Sequence, residues 1–256
     1  MTDSPESTTP PDADTTYQAE LARVTPIVAA WLTHLIDPDQ VVELRALRVQ
    51  DGTRGGSTWA GMFRGDELHE LARQALELSG LCQGVYYTLN PLKPEKFVKQ
   101  APRVQRAHGG ALAHDADVIE RRWMLVDIDP VKPAKHKDDS ATDHEKGKTL
   151  EVAKAVREYL AGEGWPVPVL CDSGNGHHLL YRLAEPLPVT LPLKEDDVLR
   201  RVLLHLADKF SGGDGAIDDV VFNPGRIVKF PGTRACKGEA TVERPHRRAR
   251  VLEVPG

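Results

Sequence analysis

The chain has 256 residues, 40% of them hydrophobic and 28% charged, with a net charge of -5. That content supports one large domain or two lobes sharing a cleft, and it excludes a generally basic protein that coats nucleic acid. No apolar run reaches the length of a membrane span, and Met1–Pro5 lacks the basic and apolar stretches of a signal peptide, so a cytoplasmic protein with no membrane partner is expected.

In chain order, residues 1–16 are rich in Thr, Pro, Asp and Ser and read as a disordered tail ahead of a domain spanning 17–256. A helical pattern runs from Tyr17 to Ile36 despite Pro26. Val41 to Val49 alternates as a strand, and Asp51-Gly52 after it signals a turn. Asp66 is a candidate cap for a helix through Leu71, Ala75 and Leu78 to Gly80, and Gly84 to Leu89 reads as a strand. Residues 91–115 read as loops or short helices.

The second half is more regular. Strands are expected at Arg122–Asp129, Val167–Leu170, Leu179–Leu183 and Ile217–Val221, with helices at Thr149–Leu160 and Asp196–Phe210. The polar stretch between Pro130 and Gly147 reads as a mobile loop, with His136 and His144 solvated. The order strand, helix, strand, strand, helix, strand is the split βαβ arrangement of ferredoxin-like and RRM-like sheets. The fold class is therefore α+β. An N-terminal αβ lobe over 17–120 would pack on an RRM-like lobe over 121–256, which ends in a basic segment.

Cys82, Cys171 and Cys236 lack the spacing of a zinc or redox motif, so buried free thiols and no structural zinc are expected. The stretch Arg226–Arg250 holds Arg226, Lys229, Arg234, Lys237, Arg244, Arg247, Arg248 and Arg250 against Glu239 and Glu243. Such a stripe suits a polyanion such as template DNA, or else a solvated charged surface.

Chemistry concentrates at three places. Asp127 and Asp129, in Val126-Asp127-Ile128-Asp129-Pro130, point to one side of a strand, and hard divalent metals take such paired carboxylates. Asp172-Ser173-Gly174-Asn175-Gly176-His177-His178 joins two strands. Its glycines allow close backbone approach, and exposed N–H groups with Ser173 and His178 suit a triphosphate; a packed glycine-rich hairpin is the alternative. Last come Asp218 and Asp219, then Arg226 and Lys229, cations able to grip phosphate oxygens.

The order Asp-x-Asp, Ser-Gly-x-Gly-x-His, then an acid followed by Arg-x-x-Lys-x-Pro-Gly-Thr resembles the archaeo-eukaryotic primase superfamily. It is most similar to the primase-polymerase domains of plasmids, phages and prophages, over about residues 84–250. The resemblance implies a two-lobed catalytic core and a DNA-directed nucleotidyltransferase, a primase or polymerase adding nucleotides to a 3′-hydroxyl with loss of pyrophosphate. It implies two magnesium or manganese ions held by Asp127, Asp129 and Asp218, with Asp219 competing for the third place. It also implies a triphosphate held by the 173–178 hairpin (Ser173, Gly174, Asn175, Gly176 and His178) together with Arg226 and Lys229. Expected partners are a DNA template and primer, nucleoside triphosphates, and a helicase acting in trans or following Gly256. The other reading is a degenerate primase fold that only binds single-stranded DNA during replication initiation. Tyr86, Tyr87 and Tyr181 are candidates for a sugar gate, and Asn90 for the cleft or for a turn.

Overall fold

The computed structural model describes residues 13–96, 102–108 and 110–256. Two five-stranded sheets carry the architecture. The first begins with helix α1 (Ala13–Leu32), strand β1 (Val41–Val49), strand β2 (Ser57–Arg64), helix α2 (Leu68–Glu77) and strand β3 (Gly84–Thr88). The short β4 (Gln105–Arg106) lies at one edge, and β9 (Ile227–Lys229), from far along the chain, at the other, in the order β4-β2-β1-β3-β9.

The second sheet contains β5 (Glu120–Asp129), β6 (Val169–Asp172), β7 (His177–Pro188), β8 (Ala216–Ile217) and β12 (Arg250–Glu253), in the order β12-β6-β7-β5-β8. Helix α3 (Asp143–Gly162) follows β5, and helix α4 (Val198–Phe210) follows β7. Leaving out β12, the order and antiparallel pairing are those expected of a βαββαβ unit. A two-stranded ribbon of β10 (Arg234–Ala235) and β11 (Arg247–Arg248) completes the element order.

β5 is apolar on both sides because both sides are covered. Ile128 faces the helices, near the Val152 and Thr149 methyls that would also meet a side chain at position 215. Val152, Val156 and Leu160 repeat at helical spacing on α3, and Leu199, Leu203 and Leu206 do so on α4; all are buried. One continuous core runs from α1 and α2 through both sheets to α3 and α4.

β9 returns to the first sheet from the second half of the chain, so the sheets do not part cleanly at residue 120. Two polar clamps reinforce the join. Asp37, just past α1, takes Arg122 of β5 at 2.7 Å and Arg182 of β7 at 2.8 Å. Asn90, 3% exposed, accepts from the Arg122 and Trp123 amides at 2.8 and 3.1 Å and donates to the Pro224 carbonyl at 3.2 Å. Asn90 is therefore a structural tie. Asn90→Ala would strand two buried amides and is expected to cost about 2 kcal/mol, read as a lower urea midpoint with an unchanged slope.

Several expected boundaries are corrected. α1 starts at Ala13, so the expected tail is four residues too long; residues 1–12 of it lie outside the described residues. Asp14 in the first turn complements the helix dipole. The helix ends at Leu32 rather than Ile36, because Leu35 and Ile36 reach the core from a turn and prolong the apolar spacing. β2 was not expected, although the Asp51-Gly52 turn joins it to β1 as a hairpin. α3 begins at Asp143, inside the expected loop, with Thr142 and Glu145 forming a reciprocal capping box. The strand expected at Ile217–Val221 stops at Ile217, and the chain then crosses between sheets. β10, β11 and β12 fall where the sequence shows only basic charge.

Candidate active site

A cleft of about 370 Å³ opens between the two sheets. β5 contributes Leu125, Asp127 and Asp129 from one face, as their alternate positions require. His178 enters from β7, where it is paired with Asp127 in the ladder. Tyr86 of β3 and Ile227 and Lys229 of β9 form the opposite wall. The hairpin supplies Ser173 and Asn175, and three further lysines, Lys132, Lys137 and Lys237, complete the lining.

The electrostatics are set by burial and close charges. His178 Nε2 lies 3.3 Å from Asp127 Oδ1. Burial works against charge on both groups. Even so, the His178 imidazolium, then Arg226 and Lys237, hold Asp127 below the usual carboxylate range, and Asp127 in turn raises His178. Asp129 has no such partner: burial, then the Asp127 charge, pushes it up to about 6. Tyr86 is pushed up to about 12 by burial and by the two acids. Lys229 falls to about 8 through burial; its Nζ donates to the Arg234 carbonyl at 2.7 Å and sits 5.1 Å from the Tyr86 ring centre.

Asp218 is next to Asp127 through the main chain, its amide donating to the Asp127 carbonyl at 2.9 Å. Its carboxylate, however, accepts the Val220 amide at 3.0 Å, and neither Asp218 nor Asp219 lines the cleft. Among the described residues, no three His, Cys, Asp or Glu side chains gather as a complete metal cage. Two carboxylates on one strand face, Asp127 half-buried and Asp129 exposed at the strand end, repel each other and still suit one hard cation, and magnesium is commonly held by one or two carboxylates, water and substrate phosphates. A second ion bound through Asp218 would have to draw on the carboxylate lone pairs that the Val220 amide leaves free.

The hairpin serves packing more than the expected phosphate cradle. The Gly174 amide donates to Asp172 Oδ1 at 2.7 Å and the Gly176 amide to Ser173 Oγ at 3.0 Å. A Cβ at Gly176 would lie 2.2 Å from the Ile128 carbonyl oxygen, so glycine is needed for the close approach to β5. What the hairpin turns to the cleft is Ser173 and Asn175, with His178 beyond. His177 points the other way and shares a 2.8 Å hydrogen bond with Thr149 of α3. The adjacent histidines therefore do not form a pair on one strand face.

Arg226 stands outside the lining, bonded to Asn223 Oδ1 and the Val220 carbonyl, yet close enough to favour ionised Asp127. Of the three tyrosines, only Tyr86 faces the cleft; Tyr87 packs edge-on against Phe230, and Tyr181 against Trp165. Cys82 and Cys171 are buried, Cys236 half-buried, and all three are free thiols. Among the described residues no helix is long and apolar enough to cross a membrane.

No protein-family model matches the sequence, and no curated protein matches it. Among solved structures, it is similar to the polymerase domain of Mycobacterium tuberculosis Ligase D in complex with DNA. The identity is 16% over 90% of this chain and 83% of that one, with a TM-score of 0.43.

The sequence reading missed Lys132 and Lys137, and placed Lys237 in the basic stripe without assigning it to the cleft. The first two follow Asp129-Pro130 in Val-Lys-Pro-Ala-Lys-His-Lys, so the signal was a run of cations directly after the acidic strand end. Part of the basic stripe is neither a free polyanion surface nor a solvated one. Arg244 binds Glu145 through two 2.8 Å contacts, Arg247 binds Asp143 at 2.7 Å, and Arg248 binds Glu20 at 3.1 Å. These arginines hold the fold together, which leaves less of the stripe for template phosphates.

Proposed function

We propose that the chain is a template-directed nucleotidyltransferase, a DNA primase or polymerase that adds a nucleotide to a 3′-hydroxyl and releases pyrophosphate. The observation that carries this reading is the composition of the cleft. Two carboxylates share one strand face among four lysines and an imidazole. Carboxylates alone would suit a cation, and lysines alone an anion; the two together suit a metal-bound polyphosphate. The motif order of the sequence narrows that to a nucleoside triphosphate.

Asp127 and Asp129 would hold magnesium or manganese, which supplies charge neutralisation to the oxygens of the reacting phosphate. His178, charged beside Asp127, would donate to a phosphate oxygen. Ser173 and Asn175 would fix one side of the polyphosphate, and Lys229, at the cleft wall, the other. In the reaction the 3′-hydroxyl gives up its proton to solvent, its oxygen bonds to the α-phosphorus, the bond to the bridging oxygen breaks, and pyrophosphate leaves with the electron pair. The protein's part is positioning and electrostatic stabilisation. Asp218 would contribute through the carboxylate oxygen that the Val220 amide leaves free, and Arg226 would act by keeping Asp127 ionised.

The test is extension of a primer on a DNA template with manganese or magnesium. Incorporation that depends on metal and on triphosphate is expected; its absence with every metal and nucleotide would leave the DNA-binding alternative. That alternative predicts no thermal stabilisation by metal with triphosphate. Because Tyr86 alone among the candidate tyrosines reaches the cleft, Tyr86→Ala is expected to shift incorporation toward ribonucleotides by about tenfold. Competition between matched ribo- and deoxyribonucleotides reads that ratio, and an unchanged ratio would remove Tyr86 as the gate.

A further inference from the structure

We propose that Lys132 and Lys237 grip the outer phosphates of the bound triphosphate, and that the buried segment Asp139–Ala141 holds both of them in place before the substrate arrives. This rests on the polyphosphate reading of the cleft and assigns a role to residues outside the sequence motifs.

Lys132 and Lys237 reach the cleft from different parts of the chain, one just after β5 and the other just after β10. Both are attached to the same short segment. Lys132 Nζ donates to the Asp139 carbonyl, and the Ser140 hydroxyl donates to the Lys237 carbonyl at 2.9 Å. The segment is itself pinned from three directions. The Ala141 amide donates to Asn175 Oδ1 at 2.9 Å, Arg244 donates to the Ser140 carbonyl at 2.8 Å, and Arg247 to the Ala141 carbonyl at 2.6 Å. Ser140 and Ala141 are fully buried. What reads in sequence as a mobile polar loop is therefore anchored beside the acid pair, and the basic stripe supplies two of its anchors.

The Lys237 ammonium group has no hydrogen-bond or ion-pair partner among the described residues, and the Lys132 ammonium uses one of its three donors. Burial, then the neighbouring Lys237 charge, lowers the Lys132 pKa, so the two ammonium groups are already in mutual repulsion. A polyanion between them relieves that repulsion, and donors fixed in advance lose little entropy on binding. A triphosphate carries more charge than a monophosphate and is expected to gain more from the pair.

The test is calorimetric titration of the full chain with inorganic tripolyphosphate, a nucleoside triphosphate and a nucleoside monophosphate, each with magnesium. The proteins compared are the wild type, Lys132→Ala, Lys237→Ala, the double variant and Lys237→Arg. Each alanine is expected to weaken both triphosphates about tenfold and the monophosphate little, with Lys237→Arg retaining most affinity. Circular dichroism confirms the folded state of each variant. The proposal is overturned if the double variant binds tripolyphosphate as tightly as the wild type, if the wild type does not bind it, or if monophosphate binding falls equally. Should lysine-dependent tripolyphosphate binding persist in a protein that extends no primer, the grip stands and the polymerase reading fails.

Discussion

Asp127→Asn is expected to lower metal-dependent nucleotide incorporation at least about a hundredfold while the protein stays folded. Asparagine keeps the shape and one oxygen but removes the charge that both a divalent cation and His178 require. Asp127 is the acid of the pair that also holds His178, 3.3 Å away, so its loss removes both a metal ligand and the partner of the imidazole. The measurement is primer extension over a manganese or magnesium titration, with thermal melting as the control for fold. Incorporation equal to wild type would end the catalytic assignment of the pair. A defect overcome by high metal concentration would place the loss in metal affinity, as a ligand role requires.

Arg244→Ala is expected to destabilise the protein by about 2–3 kcal/mol, because it removes charge-assisted hydrogen bonds from a largely buried pair. The Arg244 guanidinium donates to both Glu145 oxygens at 2.8 Å and to the Ser140 carbonyl at 2.8 Å. Glu145 also closes the capping box of α3, so one change loosens both a helix start and the anchored segment. The pair also sets part of the acid response. Hydrogen bonds from Arg244 hold Glu145 at about 2, below its ordinary value of 4.5. A carboxylate lowered on folding contributes its stability fully above the unfolded value and loses it as pH falls through the folded one. The wild type should thus lose this contribution between about pH 4.5 and pH 2, and Arg244→Ala, with less to lose, should show a shallower decline. Urea melts at steps across that range decide it; parallel curves would mean the pair contributes nothing to acid stability.

Much of the second sheet was legible in the sequence, for a physical reason. β5, β6 and the first half of β7 are apolar runs largely buried on both faces, and the helices are amphipathic at regular spacing, so local pattern and global placement agree. β5 and the two helices after it were found to within a few residues, apart from the first six residues of α3, Asp143 to Lys148. The acid pair was legible for the same reason, since alternation along a strand sends Asp127 and Asp129 to one side whatever the sheet packs against.

Charge was not legible in this way, because a cation's role depends on what lies across from it in space. Arg244, Arg247 and Arg248 look like a polyanion stripe in sequence but pair with Glu145, Asp143 and Glu20, up to 228 positions away. Lys132 looks like a loop residue and Lys237 like one more member of the stripe, but both line the cleft with the acids. The glycines of the 172–178 turn announced a tight backbone, yet only the neighbouring Ile128 carbonyl showed that Gly176 is needed for packing against β5. The sequence by itself determined which residues alternate, which repeat at helical spacing and which acids share a face. Tertiary structure alone decided which cations were already matched and which were left facing the cleft, because ion pairing follows distance in space and not position along the chain.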